Sequence, residues 1–251
     1  MPISNLTKFF EAQGKKISYL RASNLGHYWH CSVQAFLQAQ GVESPPNTAL
    51  NIGKAIHDSI TEARQLSQWE REFQEFITQF MVDRESGNGS SGLGMQRHKV
   101  FMRTWYGGQT AIGHITTHGV DDFRVYPDRQ VILVEYKTTG QKYIDNYKLA
   151  PAIFQLKVYA WILEPYMKIG GYKLKHCEVI FLNRRGDPMG IKQVIDYDPI
   201  KVEADIANIL DQFRNPEKLV PPARWKCLKC SEVYKSRCPF QKRESNAKKQ
   251  A

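Results

Sequence analysis

Apolar positions at helical spacing open the chain. Up to about residue 40 the pattern predicts a helix, with Ser23 as its N-cap before Leu25, Tyr28 and Trp29. A proline-containing loop over 43–47 leads into a long helical pattern from about Ala49. There Ile56, Ile60 and Ala63 recur at helical spacing, and Trp69, Phe73, Phe76, Ile77 and Phe80 continue the stripe. Such an aromatic stripe belongs to a core. A Gly/Ser-rich break over 86–94 suits a loop over a cleft. From Lys99 the period changes to that of strands. Residues 100–106 and 111–118 read as a hairpin around Gly107-Gly108, and 123–126 and 131–136 as two strands around a Pro127-Asp128-Arg129 turn. A helix over about 150–167, strands near 174–183 and 190–196, and an amphipathic helix marked by Ile200, Ile206, Ile209, Leu210 and Phe213 complete the pattern. Helices, a run of strands, a helix and more strands describe a mixed α/β fold built on one sheet.

Composition adds bounds. The 251 residues are 42% hydrophobic and 24% charged, which is globular usage and enough chain for one large core. The apolar run at 158–163 is six residues where a membrane span needs about twenty. Lys8, Glu11, Lys15 and Lys16 interrupt the start, so there is no secretory h-region, and a cytoplasmic protein without a membrane is expected. Thirty-five Lys and Arg against 25 acidic residues give a net charge of +10, which favours a polyanionic partner such as DNA. The five cysteines fit no disulfide scaffold. Cys177 lies in an apparent buried strand. Cys227 and Cys230 form a CxxC, Cys238 precedes Pro239, and Cys31 lies far upstream, which leaves four thiols for one site.

The chemistry concentrates around the second hairpin. Asp122 and Glu135, on neighbouring strands, can grip one hard divalent cation such as Mg²⁺ or Mn²⁺. Lys137 shares a strand face with Glu135, where an ammonium offsets charge developing on a phosphate. Gln155 and Tyr159 stack four apart on the following helix, and His57 sits early in the long upstream helix. Asp121 and Asp122 are adjacent and point to opposite faces, so only one can face the metal. Four thiolates suit tetrahedral Zn²⁺ as well as an iron–sulphur cluster.

The order His57, Gly119-x-x-Asp122, Glu135-x-Lys137, Gln155-x-x-x-Tyr159 resembles the RecB-type branch of the PD-(D/E)xK nucleases. Cys31 before the histidine helix and the C-terminal CxxC…Cys-Pro resemble its iron–sulphur members, which include CRISPR-associated RecB-like exonucleases and AddB-type nucleases. The resemblance spans roughly residues 20–240. It implies a restriction-endonuclease-like core over 49–215, between an N-terminal helical segment (1–48) and a C-terminal cysteine cluster with a basic tail (216–251). It assigns Asp122, Glu135 and Lys137 to catalysis. His57, Asp122, Glu135 and the carbonyl of Tyr136 would hold Mg²⁺ or Mn²⁺, and Asp122 is preferred over Asp121 because it keeps the Gly-x-x-Asp spacing. Gln155 and Tyr159 would orient the DNA. Cys31, Cys227, Cys230 and Cys238 would bind a [4Fe–4S] cluster, structural Zn²⁺ being the alternative. The implied activity is a metal-dependent, single-strand-preferring exonuclease acting in CRISPR spacer acquisition or DNA repair, with a helicase or spacer-integration protein as partner. The other readings are a viral genome-processing endonuclease and a non-catalytic DNA-binding subunit that keeps the fold.

Overall fold

The computed structural model describes residues 19–42, 48–86, 96–107, 110–140, 144, 146–215, 218–220, 227, 230–238 and 240. In chain order the elements are β1 (Tyr19–Arg21), α1 (Ala22–Tyr28), α2 (Ser32–Ala39), α3 (Thr48–Ala63), α4 (Gln68–Thr78), β2 (Val82–Ser86), β3 (Gln96–Gly107), β4 (Thr110–Thr117), β5 (Asp122–Val125), β6 (Gln130–Thr138), α5 (Asn146–Ile169), β7 (Lys173–Leu182), β8 (Pro188–Ile195), α6 (Pro199–Arg214) and α7 (Glu232–Lys235).

The described strands form two four-stranded mixed sheets rather than one. Their orders are β1-β4-β3-β2 and β5-β6-β7-β8. In the second, β6 pairs parallel with β7 and the outer pairs are antiparallel. A parallel pair needs a crossover, and α5 supplies it. Val131 to Val134 and Glu135 are buried in succession, as expected of a central strand covered on both faces. Helix α5 touches strands of both sheets, and Leu156, Val158, Ala160, Trp161 and Ile162 are all within 1% of complete burial. A helix apolar all round belongs inside a core. That core is one cluster running from Leu20 to Cys238.

Local chemistry moved several expected boundaries. The first helix starts at Ala22 with Arg21 at the N-cap, so Ser23 is not the cap. A break then separates it from α2, whose N-cap Cys31 accepts the Gln34 N–H on its sulfur at 3.4 Å. The aromatic stripe belongs to two helices, because Ser67 and Glu70 form a reciprocal capping box that starts α4 afresh. Asp198 caps α6, which buries Ile206, Ile209, Leu210 and Phe213 while Ile200 stays 80% exposed. The loops expected at 43–47 and over 87–94 lie outside the described residues. Among the described residues no helix is long and apolar enough to cross a membrane.

Candidate active site

The hairpin β5–β6 sets the geometry. Its loop, Pro127-Asp128-Arg129, is closed by the Tyr126 N–H donating to the Gln130 carbonyl at 3.0 Å, and Arg129 adopts φ 61°. A three-residue hairpin ending in a left-handed residue is a preferred geometry, and it fixes the register. Asp122 pairs with Val134, so Asp121 falls opposite Glu135. Alternation then places Asp121, Glu135 and Lys137 on one face, with Asp122, Val134 and Tyr136 on the other.

Side-chain contacts follow that division. Asp121 Oδ2 accepts the Tyr136 N–H at 2.8 Å and lies 3.5 Å from His57 Nδ1. Asp122 turns away. It ion-pairs with Arg64, accepts the Tyr136 hydroxyl at 2.9 Å and takes the Phe123 N–H at 2.8 Å. The aspartate beside His57 and Glu135 is therefore Asp121, the reverse of the choice that Gly-x-x-Asp spacing favours. Gly119 sits at φ +121°, where a side chain would be strained, and both its N–H and its carbonyl bond the Thr117 hydroxyl. That bend delivers the chain to Asp121.

Glu135 is 3% exposed. Its Oε1 accepts the Lys137 ammonium at 2.5 Å and the Gln155 amide at 3.0 Å. The Gln155 carbonyl oxygen faces Lys137 at 3.4 Å, and its amide also donates to the Tyr159 hydroxyl. One side chain thus spans anion and cation, with its oxygen and nitrogen each on the matching partner. Burial lifts the Glu135 carboxyl to about 7, against the pull of Lys137 and with a smaller push from Asp121. Burial alone would lower the Lys137 ammonium, but Glu135 and then Asp121 hold it above its ordinary value. Tyr159 is pushed up by burial and by Glu135.

Two atoms bear on metal binding. Glu135 Oε2 and His57 Nε2 are both buried and have no hydrogen-bond partner among the described residues. Such orphaned polar atoms are uncommon in folded proteins, and with Asp121 they supply oxygen and nitrogen of the hard type that Mg²⁺ and Mn²⁺ accept. In donor type these residues suit a divalent cation. Tyr136 contributes its N–H and its hydroxyl to the two aspartates.

The four cysteines influence one another electrostatically. Cys31 and Cys230 are raised first by burial and then by neighbouring thiols, Cys31 by Cys238 and Cys227, and Cys230 by Cys31, Cys227 and Cys238. Cys230 N–H donates to the Cys227 carbonyl at 3.2 Å. A second tie joins the same regions, with Gln38 of α2 donating to the Tyr234 hydroxyl at 3.2 Å and the Ser32 hydroxyl to the Val220 carbonyl at 2.8 Å. Thiolates are the donor type that a thiophilic ion or cluster takes. Cys177 stands apart, wholly buried in β7 with its thiol pushed up to about 12. Among the described residues no group of three or more His, Cys, Asp or Glu side chains is placed so that it could hold a metal ion.

Sequence reasoning missed Arg64, which follows α3 with no motif around it. It also set Asp121 aside, although the three-residue hairpin loop would have placed that residue opposite Glu135. Trp105 leans on Trp161 with ring centroids 6.1 Å apart and packs against the core.

No family model matches the chain, and no curated protein matches it. Among solved structures, SSO0001 aligns at 14% identity over 94% of each chain with a TM-score of 0.45. A candidate exonuclease from Eubacterium rectale aligns at 14% identity over 85% of this chain and 89% of its own, with a TM-score of 0.42. The alkaline exonuclease LHK-Exo from Laribacter hongkongensis aligns at 12% identity over 83% of this chain and 93% of its own, with a TM-score of 0.36. At these scores the likenesses bear no weight on function, which has to be argued from the site.

Proposed function

We propose that the protein is a metal-dependent deoxyribonuclease that hydrolyses phosphodiester bonds, acting as an exonuclease that prefers single strands. The observation that carries this reading is the cluster of Asp121, Glu135 and His57 beside Lys137, with two buried polar atoms left unpartnered. His57, Asp121 and Glu135 would hold Mg²⁺ or Mn²⁺, with the Tyr136 carbonyl as a further ligand, and the histidine tilts the preference toward Mn²⁺. When bound, the cation supplies Lewis acidity at the phosphate and acidifies water in its shell. Lys137 places positive charge where the phosphate gains negative charge, and Glu135 and Gln155 hold the ammonium in that position. Gln155 keeps Glu135 and Tyr159 in one hydrogen-bonded set along α5. The net charge of +10 favours a nucleic-acid substrate. Cys31, Cys227, Cys230 and Cys238 would hold a [4Fe–4S] cluster, or Zn²⁺, in a structural role, since four thiolates leave no open position for hydrolysis. The family resemblance implies spacer acquisition or DNA repair as the setting.

End-labelled single-stranded and duplex DNA incubated with Mn²⁺ tests the reading. The wild type should shorten single strands from an end, and Lys137→Ala should be slower by about 10²–10³-fold. A wild-type protein that binds DNA but leaves it intact in Mn²⁺ and Mg²⁺ overturns the reading in favour of a binding subunit. A cluster would give a brown anaerobic preparation containing iron, whereas stoichiometric zinc in a colourless one rejects it.

A further inference from the structure

Helix α3 reaches both adjacent aspartates, and it does so with opposite consequences. His57, within the helix, lies against Asp121. Arg64, one residue past its end, grips Asp122. That arginine is itself anchored on three sides. It pairs with Glu70, donates to the Phe123 carbonyl at 2.6 Å and lies 5.9 Å from the centre of the Phe123 ring. Glu70 is held in turn, because its second oxygen accepts the Ser67 N–H at 2.8 Å within the capping box of α4. On its other oxygen Asp122 takes the Tyr136 hydroxyl at 2.9 Å.

We infer that Arg64 is a positioning residue that selects which of the two carboxylates faces the metal. The inference rests on the reading of Asp121 as a metal ligand. Asp121 and Asp122 have the same chemistry and differ only in which face of the strand they occupy. A divalent cation beside Glu135 attracts either of them. By holding Asp122 and the Phe123 carbonyl together, Arg64 fixes the first residues of β5 on the far face, and Asp121 is then the carboxylate presented to His57 and Glu135. Without that grip, Asp122 loses its ion pair, keeps the weaker neutral hydrogen bonds from the Tyr136 hydroxyl and the Phe123 N–H, and competes for the ion from one residue away. Arg64 touches neither Glu135 nor Lys137 in any described contact, so it acts through the aspartates.

The test is Mn²⁺ binding to the full-length protein, followed by electron paramagnetic resonance and titration calorimetry, with circular dichroism as the fold control. Arg64→Ala should bind Mn²⁺ about 10- to 100-fold more weakly, the usual cost of losing a residue that orients a ligand. Arg64→Ala combined with Asp122→Asn should regain most of that loss, because the competing carboxylate is gone. A residue that merely supports the fold gives no such rescue. If Arg64→Ala does not fold, Arg64→Lys serves in the same assay. It keeps the charge but cannot span Glu70, Phe123 and Asp122, and it should bind more weakly than the wild type and be rescued in the same way. Wild-type affinity in a folded Arg64 variant, or a double variant as weak as the single one, overturns the inference. Asp121→Asn separates it from the reading beneath. If that variant binds Mn²⁺ like the wild type, the ligand assignment fails, whatever the Arg64 variants do.

Discussion

A buried carboxyl raised to about 7 lies next to an ammonium that it holds above its ordinary value. Glu135 uses one oxygen for Lys137 and Gln155 and leaves the other without a partner. The two aspartates divide on the same logic, and substitutions at them should have unequal effects. Asp121→Asn should remove Mn²⁺ binding and cleavage together. Asp122→Asn should slow cleavage without abolishing it, because an amide oxygen still accepts from Arg64 and Tyr136. A single-turnover assay on labelled single strands, beside a Mn²⁺ titration, reads both, and an inactive Asp122→Asn with an active Asp121→Asn would reverse the assignment. Glu135, Lys137, Gln155, Tyr159 and His57 were legible from residue type and order, and the structure brings all five into one neighbourhood. The choice between the aspartates was not legible from motif spacing, because strand faces alternate residue by residue and one position decides everything. Arg64 was invisible for another reason: its partners lie 6, 58 and 59 positions away, and nothing local marks it.

Elements were legible where one period ruled and obscured where two met. The strands from β3 to β8 and helix α5 stood out, but the aromatic stripe ran on across the Ser67 cap and concealed the start of α4. The three-residue β1 was too short to show any period. Close packing between α1 and α5 gives one test at this scale. A Cβ at Gly26 would lie 2.9 Å from both the Pro151 carbonyl oxygen and the Gln155 Cβ, contacts that backbone cannot easily yield. Gly26→Ala should cost about 1–3 kcal/mol in denaturant unfolding and slow cleavage by displacing Gln155. A neutral substitution would mean that the two helices separate without consequence. A second test sits in the sheet itself. Glu178 of β7 is 1% exposed and meets Lys192 at 2.6 Å, His176 at 3.0 Å and Arg124 at 3.1 Å. Burial alone would raise its carboxyl, but Lys192, His176 and Arg124 outweigh it and hold the group below its ordinary value. A depressed carboxyl contributes stability above its unfolded pKa of about 4.3, and this is lost as the pH falls through the folded value. Glu178→Gln should therefore be less stable than the wild type near pH 6, and the gap should close as the pH falls below the ordinary glutamate range. The gap should be about 2 kcal/mol, below the cost of breaking a fully buried pair because Arg124 and Lys192 keep 40% and 46% exposure. A gap that stays constant with pH rejects the charge account.

Across the whole molecule, Cys31 and the thiols of Cys227, Cys230 and Cys238 feel one another electrostatically, and two explanations compete for Cys31. As the N-cap of α2 it accepts the Gln34 N–H through a weak sulfur acceptor at 3.4 Å. As one of these four thiols it is also a candidate ligand, raised by burial and by Cys238 and Cys227. Cys31→Ser separates the two roles, because they respond to the oxygen in opposite directions. Serine is among the preferred N-caps, so if capping is what matters the substitution is neutral or mildly stabilising. A serine hydroxyl is a poor ligand for a thiophilic ion or cluster, so if the thiols hold one, the loop from residue 31 to 238 loses its closure. Gln38–Tyr234 and Ser32–Val220 still tie the same regions together by hydrogen bonds. Loss of a structural metal belongs to the class of changes costing about 4 kcal/mol or more, roughly 8 °C or more in a chain of this size. The same variant should purify with less than its share of iron or zinc. An unchanged or higher melting temperature with full metal content would make Cys31 a helix cap and nothing more, and the cluster would need another fourth ligand.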